Sequence, residues 1–371
     1  MKLLLCTVAA LSLVLPAAGQ ESLADELAST LDAMSAAAIV GDAEAYLEHV
    51  ATDEPEFLIE QRAWAKDIER IAPDVLRYEL TTVPEIGDDD GEATAGLRIT
   101  WNTPNHEGDD RQLEIPARFV MQGGAWHFGG RDWLERDAQG LRVLHANGAG
   151  FLARQAAGFW PDIKEHVEEG FETTLDHPQV IKMYPTMLEL QFSIFPAYVE
   201  PLGGWNEPGE SIKLLGRETS PEGLKTVIAH EYGHALTFAM GGPDIPLAVE
   251  RAHAMPWWLL EGTAELAAAK YSSGYRRAKR AVRRWHANGE LPGWDRISNF
   301  YETDPADYRY VYTQGLHFAA YVSDRFGRTA RNELLRTMMK GATLDEACRE
   351  VFGLPFDELD ADWRGSISED D

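Results

Sequence analysis

Residues 220–243 read SPEGLKTVIAHEYGHALTFAMGGP. Ser220 is a good N-cap, Pro221 suits the first helical position, and Glu222 complements the positive end of the helix dipole; Gly241, Gly242 and Pro243 then stop the helix. The pattern predicts one helix over about 220–240, with His230, Glu231 and His234 in its middle. Residues four apart share a helix face. The two imidazoles can therefore present nitrogens to one ion about 2.0–2.1 Å away. Glu231, one residue on, is displaced from that pair and suited instead to reach a water beside the ion. The flanking Val227, Ile228, Ala229, Tyr232, Gly233, Ala235 and Leu236 carry no charge, as a buried metal-binding helix requires.

Zinc needs a third protein ligand. A metzincin would carry Gly and then His after the second histidine, but Thr237 and Met240 stand at those positions, which excludes that class. The next candidate is MPWWLLEGTAEL, residues 255–266, where Glu261 and Glu265 lie one turn apart on a helix opened by Pro256. One carboxylate can bind metal while the other accepts a hydrogen bond from a ligand histidine's second nitrogen. Trp257, Trp258, Leu259, Leu260, Ala264 and Leu266 surround the pair, so it reads as buried beside a positive partner rather than as a solvated face.

Outward from these helices, the chain divides. Residues 22–50 carry helical periodicity in Leu23, Leu27, Leu31, Met34 and Ile39, and a second amphipathic segment covers roughly 55–72. Strand patterns follow at 76–83, 93–101, 113–121 and 125–133, separated by GDDDGE and NTPNHEGDD. Two helices before a four-stranded sheet resemble, in pattern alone, a cystatin-like or nuclear-transport-factor-like cone. His106 and His127 in this part read as structural or solvated. The polar LERDAQG, 134–140, marks a boundary; beyond it come strands at 141–145, 180–185 and 211–216 and a helix through 151–171. Helices then run to the end, at about 220–240, 256–272, 275–288, 307–325, 328–339, 343–351 and 356–366. Sheet first and helices afterwards is an α+β layout. The expected organisation is a leader at 1–19, a small α+β domain at 20–138 and a metal-binding domain at 139–371.

Lys and Arg total 34 against 61 Asp and Glu, a formal net charge of -27, which argues against a nucleic-acid or anionic-lipid partner. MKLLLCTVAALSLVLPAAGQES has the layout of a signal peptide cut after Gly19, so the mature protein is expected to be exported, periplasmic or extracellular, without stable membrane insertion. Cleavage removes Cys6 and leaves Cys348, which excludes a disulfide within the chain and a cysteine metal site. Any metal must use His and carboxylate. GGWNEPGESIKLL, 203–215, supplies either an edge strand for an extended peptide or an ordinary sheet strand. The arginine-rich YRRAKRAVRRWHANG, 275–289, reads as a helix salt-bridged to acidic neighbours. His253 and His317 read as structural.

HEYGH followed by WLLEGTAE resembles the gluzincin metallopeptidases, in particular the bacterial peptidase MA-like group. Those proteins show HExxH, then W-L-x-E-G-x-A-E, then a helix with a tyrosine and an aromatic-rich run ending in Phe-Gly or Tyr-Gly. YTQGLHFAAYVSDRFG at 312–327 and TLDEACREVFGLPFDELDADWRG at 343–365 are similar, so the resemblance covers roughly residues 141–366. It implies that His230, His234 and Glu261 bind one zinc ion per chain, that Glu231 is the general base, and that Glu265 supports a ligand histidine. It also implies a tyrosine that stabilises the oxyanion: Tyr312 by its position in YTQG, with Tyr310 the competitor. The implied activity is zinc-dependent hydrolysis of peptide or protein substrates. A zinc-retaining envelope binding or assembly protein with little turnover is the other reading, against which the intact Glu231 weighs.

Overall fold

The computed structural model describes residues 18–87, 91–217 and 219–369; most of the expected leader at 1–19 lies outside them. Packing divides the chain into two compact units. Of the described residues, one unit holds those up to Glu54 and those of 61–132, and the other holds Pro55–Glu60 and those from Trp133 on. The architecture is α+β, and among the described residues no helix is long and apolar enough to cross a membrane.

The first unit contains α1 (Ala18–Ile39), α2 (Ala43–Leu47), most of α3 (Pro55–Arg70), and strands β1 (Val75–Leu80), β2 (Glu85–Ile86), β3 (Glu92–Asn102), β4 (Arg111–Gln122) and β5 (Ala125–Arg131). The strands form an antiparallel sheet in the order β1-β3-β4-β5, with β2 paired to β3. Leu23, Leu27, Leu31 and Met34, at helical spacing, bury one face of α1. Strict alternation along β3 buries Ala93, Ala95, Leu97, Ile99 and Trp101 on one face of the sheet.

The second unit begins with a hairpin, β6 (Leu134–Ala138) and β7 (Leu141–His145), followed by α4 (Gly150–Phe171), β8 (Gln179–Tyr184), α5 (Met187–Ile194), β9 (Gly204–Trp205) and β10 (Ile212–Leu215). These strands make a mixed sheet in the order β6-β7-β8-β10-β9, parallel across β7, β8 and β10 and antiparallel at both edges. The helices α6 (Pro221–Ala239), α7 (Ile245–Ala254), α8 (Trp257–Ala268), α9 (Gly274–Ala287), α10 (Tyr308–Phe326), α11 (Arg328–Met339), α12 (Leu344–Phe352) and α13 (Phe356–Glu369) follow. Residues 134–138, read above as a polar boundary, are β6. Every β6 residue is exposed or half-buried, so the strand lacks the apolar alternation that would reveal it. Packing places the division between Asp132 and Trp133, ahead of this hairpin.

Trp258, fully buried, meets Trp294, Phe318 and Phe356, which fixes α8 against α10 and the C-terminal helices. In the sheet, Lys182 of β8 and Lys213 of β10 are buried and paired: Lys182 Nζ donates to Glu60 Oε2 at 2.6 Å, and Lys213 Nζ to Glu210 Oε2 at 2.5 Å. Ser211 closes the cluster by donating its backbone N–H and hydroxyl to Glu60 Oε1.

Candidate metal centre

Helix α6 starts as its sequence requires, with the Ser220 hydroxyl accepting from the Gly223 N–H at 3.0 Å and Pro221 at the first position. Small residues then let its neighbours come close. A Cβ on Gly233 would lie 3.1 Å from the Ala267 side chain and 3.3 Å from the Ala264 Cα, so α6 and α8 pack nearly backbone to backbone between His230 and His234. On the far side of α8, a Cβ on Gly262 would lie 2.2 Å from the Gly315 carbonyl carbon of α10. Three helices therefore converge on one point.

At that point stand His230, His234 and Glu261, all with little or no solvent access. The His230 and His234 Nε2 atoms are 3.2 Å apart, and Glu261 Oε2 lies 3.1 Å from the first and 3.5 Å from the second. Ligands 2.0–2.1 Å from a tetrahedral ion are separated by about 3.3–3.4 Å, so this triangle matches one face of such a coordination sphere. Two imidazoles and a carboxylate also leave the fourth position of a tetrahedron free, and the residues fit a divalent ion with nitrogen and oxygen preference.

Each of these side chains is aimed by something else. Glu261 Oε1 accepts from the Trp257 indole N–H at 2.9 Å, which turns the other carboxylate oxygen toward the histidines. His230 Nδ1 lies 3.4 Å from Glu265 Oε1, a placement that favours the tautomer with a free Nε2 lone pair. His234 stacks on Phe238, one turn on, with ring centroids 5.9 Å apart, while its Nδ1 is buried without a hydrogen-bond partner among the described residues. The role of Trp257 was missed in the sequence; the signal was its position one turn before Glu261 on the same face.

Electrostatics follow from burial and proximity. Burial alone would raise the Glu261 carboxyl, but His234 and His230 outweigh it and hold the group well below the usual carboxylate range. Burial lowers His230, yet its contacts with Glu261 and Glu265 and the charge of Glu231 carry it well above an ordinary imidazole. Glu231 is raised by burial, against the pull of both histidines.

The three ligand atoms sit beside a cleft of about 620 Å³, lined also by Glu231, Tyr312 and Glu265. Glu231 rests on β9, where a Cβ on Gly204 would lie 2.5 Å from Glu231 Oε1. A side chain at that position would displace the carboxylate from its present place. Tyr312 has its ring 6.3 Å from that of His230, and burial, reinforced by Glu261 and Glu231, pushes its hydroxyl well above the ordinary range. Tyr310 points elsewhere, its ring packed at a tilt 4.6 Å from that of Trp285 and its hydroxyl accepting from Arg309. Tyr198, Trp205, Trp257, Phe300 and Tyr308 give the cleft an aromatic wall. His253 lies at its rim, 3.8 Å from Glu207, whereas His317 accepts from the Trp363 indole away from it, and His106 and His127 belong to the first unit.

No model of a known family matches the chain, and no curated protein matches it.

Proposed function

We propose that the second unit is a gluzincin-type zinc metallopeptidase related to the peptidase MA-like group, and that the first, with its cystatin-like pattern, is an accessory domain. The observation that carries this reading is the triangle of His230, His234 and Glu261 beside a cleft that also receives Glu231. Zinc held there supplies Lewis acidity, lowering the pKa of water toward about 7 and polarising a substrate carbonyl.

The chain's own residues do the rest. The Glu231 carboxylate, raised by burial, is suited to take a proton from water and deliver it to the leaving amine nitrogen. The Tyr312 hydroxyl, kept protonated by its surroundings, donates to the oxygen that gains charge on the substrate. Strand β9 is the outermost strand of its sheet and lines the cleft through Gly204 and Trp205, so an extended peptide can pair with its backbone there. Export to the periplasm or the extracellular space belongs to the same proposal, on the strength of residues 1–19.

Glu231→Gln tests the reaction separately from the metal. The variant should retain its metal and lose about 10²- to 10⁴-fold in hydrolysis of a peptide library. Unchanged cleavage would refute the peptidase reading, and an inactive wild type that still holds zinc would favour a binding or assembly role.

A further inference from the structure

Helix α9 carries a feature that the cleft does not use. Arg276, Arg277, Arg280, Arg283 and Arg284 are all exposed, and among the described residues none of them makes an ion pair. The expectation that this run is salt-bridged to acidic neighbours therefore fails for these residues; the Arg277 guanidinium is satisfied locally by the Ser273 hydroxyl at 2.8 Å. Their spacing of one, four, seven and eight residues puts them on one helix face. The opposite face is buried through Ala278, Val282 and Trp285. The result is a strip of guanidinium groups about 12 Å long on a chain whose net charge is -27.

We propose that this strip is the docking site for a short acidic segment of a partner protein. Guanidinium forks match carboxylates two bonds at a time. The length of the strip suits about four residues of extended chain at ~3.3 Å each. The rest of the chain limits the size of the partner, because 61 Asp and Glu stand against 34 Lys and Arg. A DNA duplex or a bilayer reaches well beyond a Debye length of about 8 Å and would meet this acidic surplus as well as the strip. A second copy of the chain would bring its own large negative charge against the first. A narrow acidic peptide meets the strip alone.

The test uses the full chain and a fluorescein-labelled hexaglutamate peptide, followed by fluorescence anisotropy. R276Q/R280Q/R284Q removes charges that have no ion-pair partner among the described residues, so its circular dichroism and thermal midpoint should match wild type. Wild type should bind the peptide at low salt, and binding should weaken about tenfold or more in the variant and on raising salt to about 0.5 M. Equal binding by both proteins, or no binding to wild type, would overturn the proposal. So would tighter binding of a labelled DNA duplex or of phosphatidylglycerol vesicles, or a salt-sensitive wild-type dimer that the variant loses.

Discussion

Glu60 sits almost sealed from solvent with Lys182 on one oxygen and Ser211 on the other. Burial raises its carboxyl, but Lys182 and Lys213 reverse the sign, and the net shift is downward from 4.5. A lowered carboxylate stabilises the fold above the unfolded-state value and loses that contribution as pH falls through the folded one. Glu60→Gln, which strands Lys182, should therefore lower stability by about 3–5 kcal/mol near neutral pH. The gap to wild type should narrow below about pH 4 as wild type also loses the charge. Thermal melts of both proteins from pH 7 to pH 3 measure this, and a gap that stays constant would show that Glu60 is not ionised in the fold. At this scale, legibility depends on whether a contact is local. His230, Glu231 and His234 are readable because helix geometry alone brings them together. The choice of Glu261 over Glu265 came from a resemblance, and the indole bond that aims Glu261 depends on how Trp257 is turned. Tyr310 and Tyr312, two residues apart, point about 200° apart on a helix, so only the packing of α10 decides which one faces the cleft.

Among the elements, the contact of α8 with α10 has the least slack. The Gly262 and Gly315 backbones touch, and a Cβ on Gly315 would lie 2.1 Å from the Trp258 carbonyl oxygen. Backbone cannot rotate out of the way as a side chain can. Gly262→Ala should push the helices apart and destabilise the protein by about 3 kcal/mol, the upper end of ordinary overpacking. Because Glu261 is the adjacent residue, the same substitution should loosen the metal site, whereas alanine at exposed Gly365, where a Cβ would meet nothing, should be silent. Denaturant unfolding with metal titration compares the two, and equal behaviour would mean that α8 and α10 can slide. Long amphipathic helices and alternating strands were readable in the sequence because burial writes a period into them. Strand β6 was not, since it buries no residue, and α9 was assigned the wrong surroundings because exposure is a property of the neighbours.

Across the molecule, the acidic surplus and the cleft act in the same direction. The cleft is lined by Glu200, Glu207, Glu231, Glu261 and Glu265, and among its described residues there is no Lys or Arg. Such a field favours cations over anions in the cleft. The triangle also joins α6 to α8, so an ion bound there ties together two helices of the second unit and should raise its melting temperature. The most direct test of the account is elemental analysis of the purified full chain after dialysis against metal-free buffer, beside Glu231→Gln, His230→Ala and Glu261→Ala. Wild type and Glu231→Gln should hold about one zinc per chain, and His230→Ala and Glu261→Ala well under a tenth of that. Wild-type protein without zinc, or ligand variants that keep it, would contradict the account at its centre.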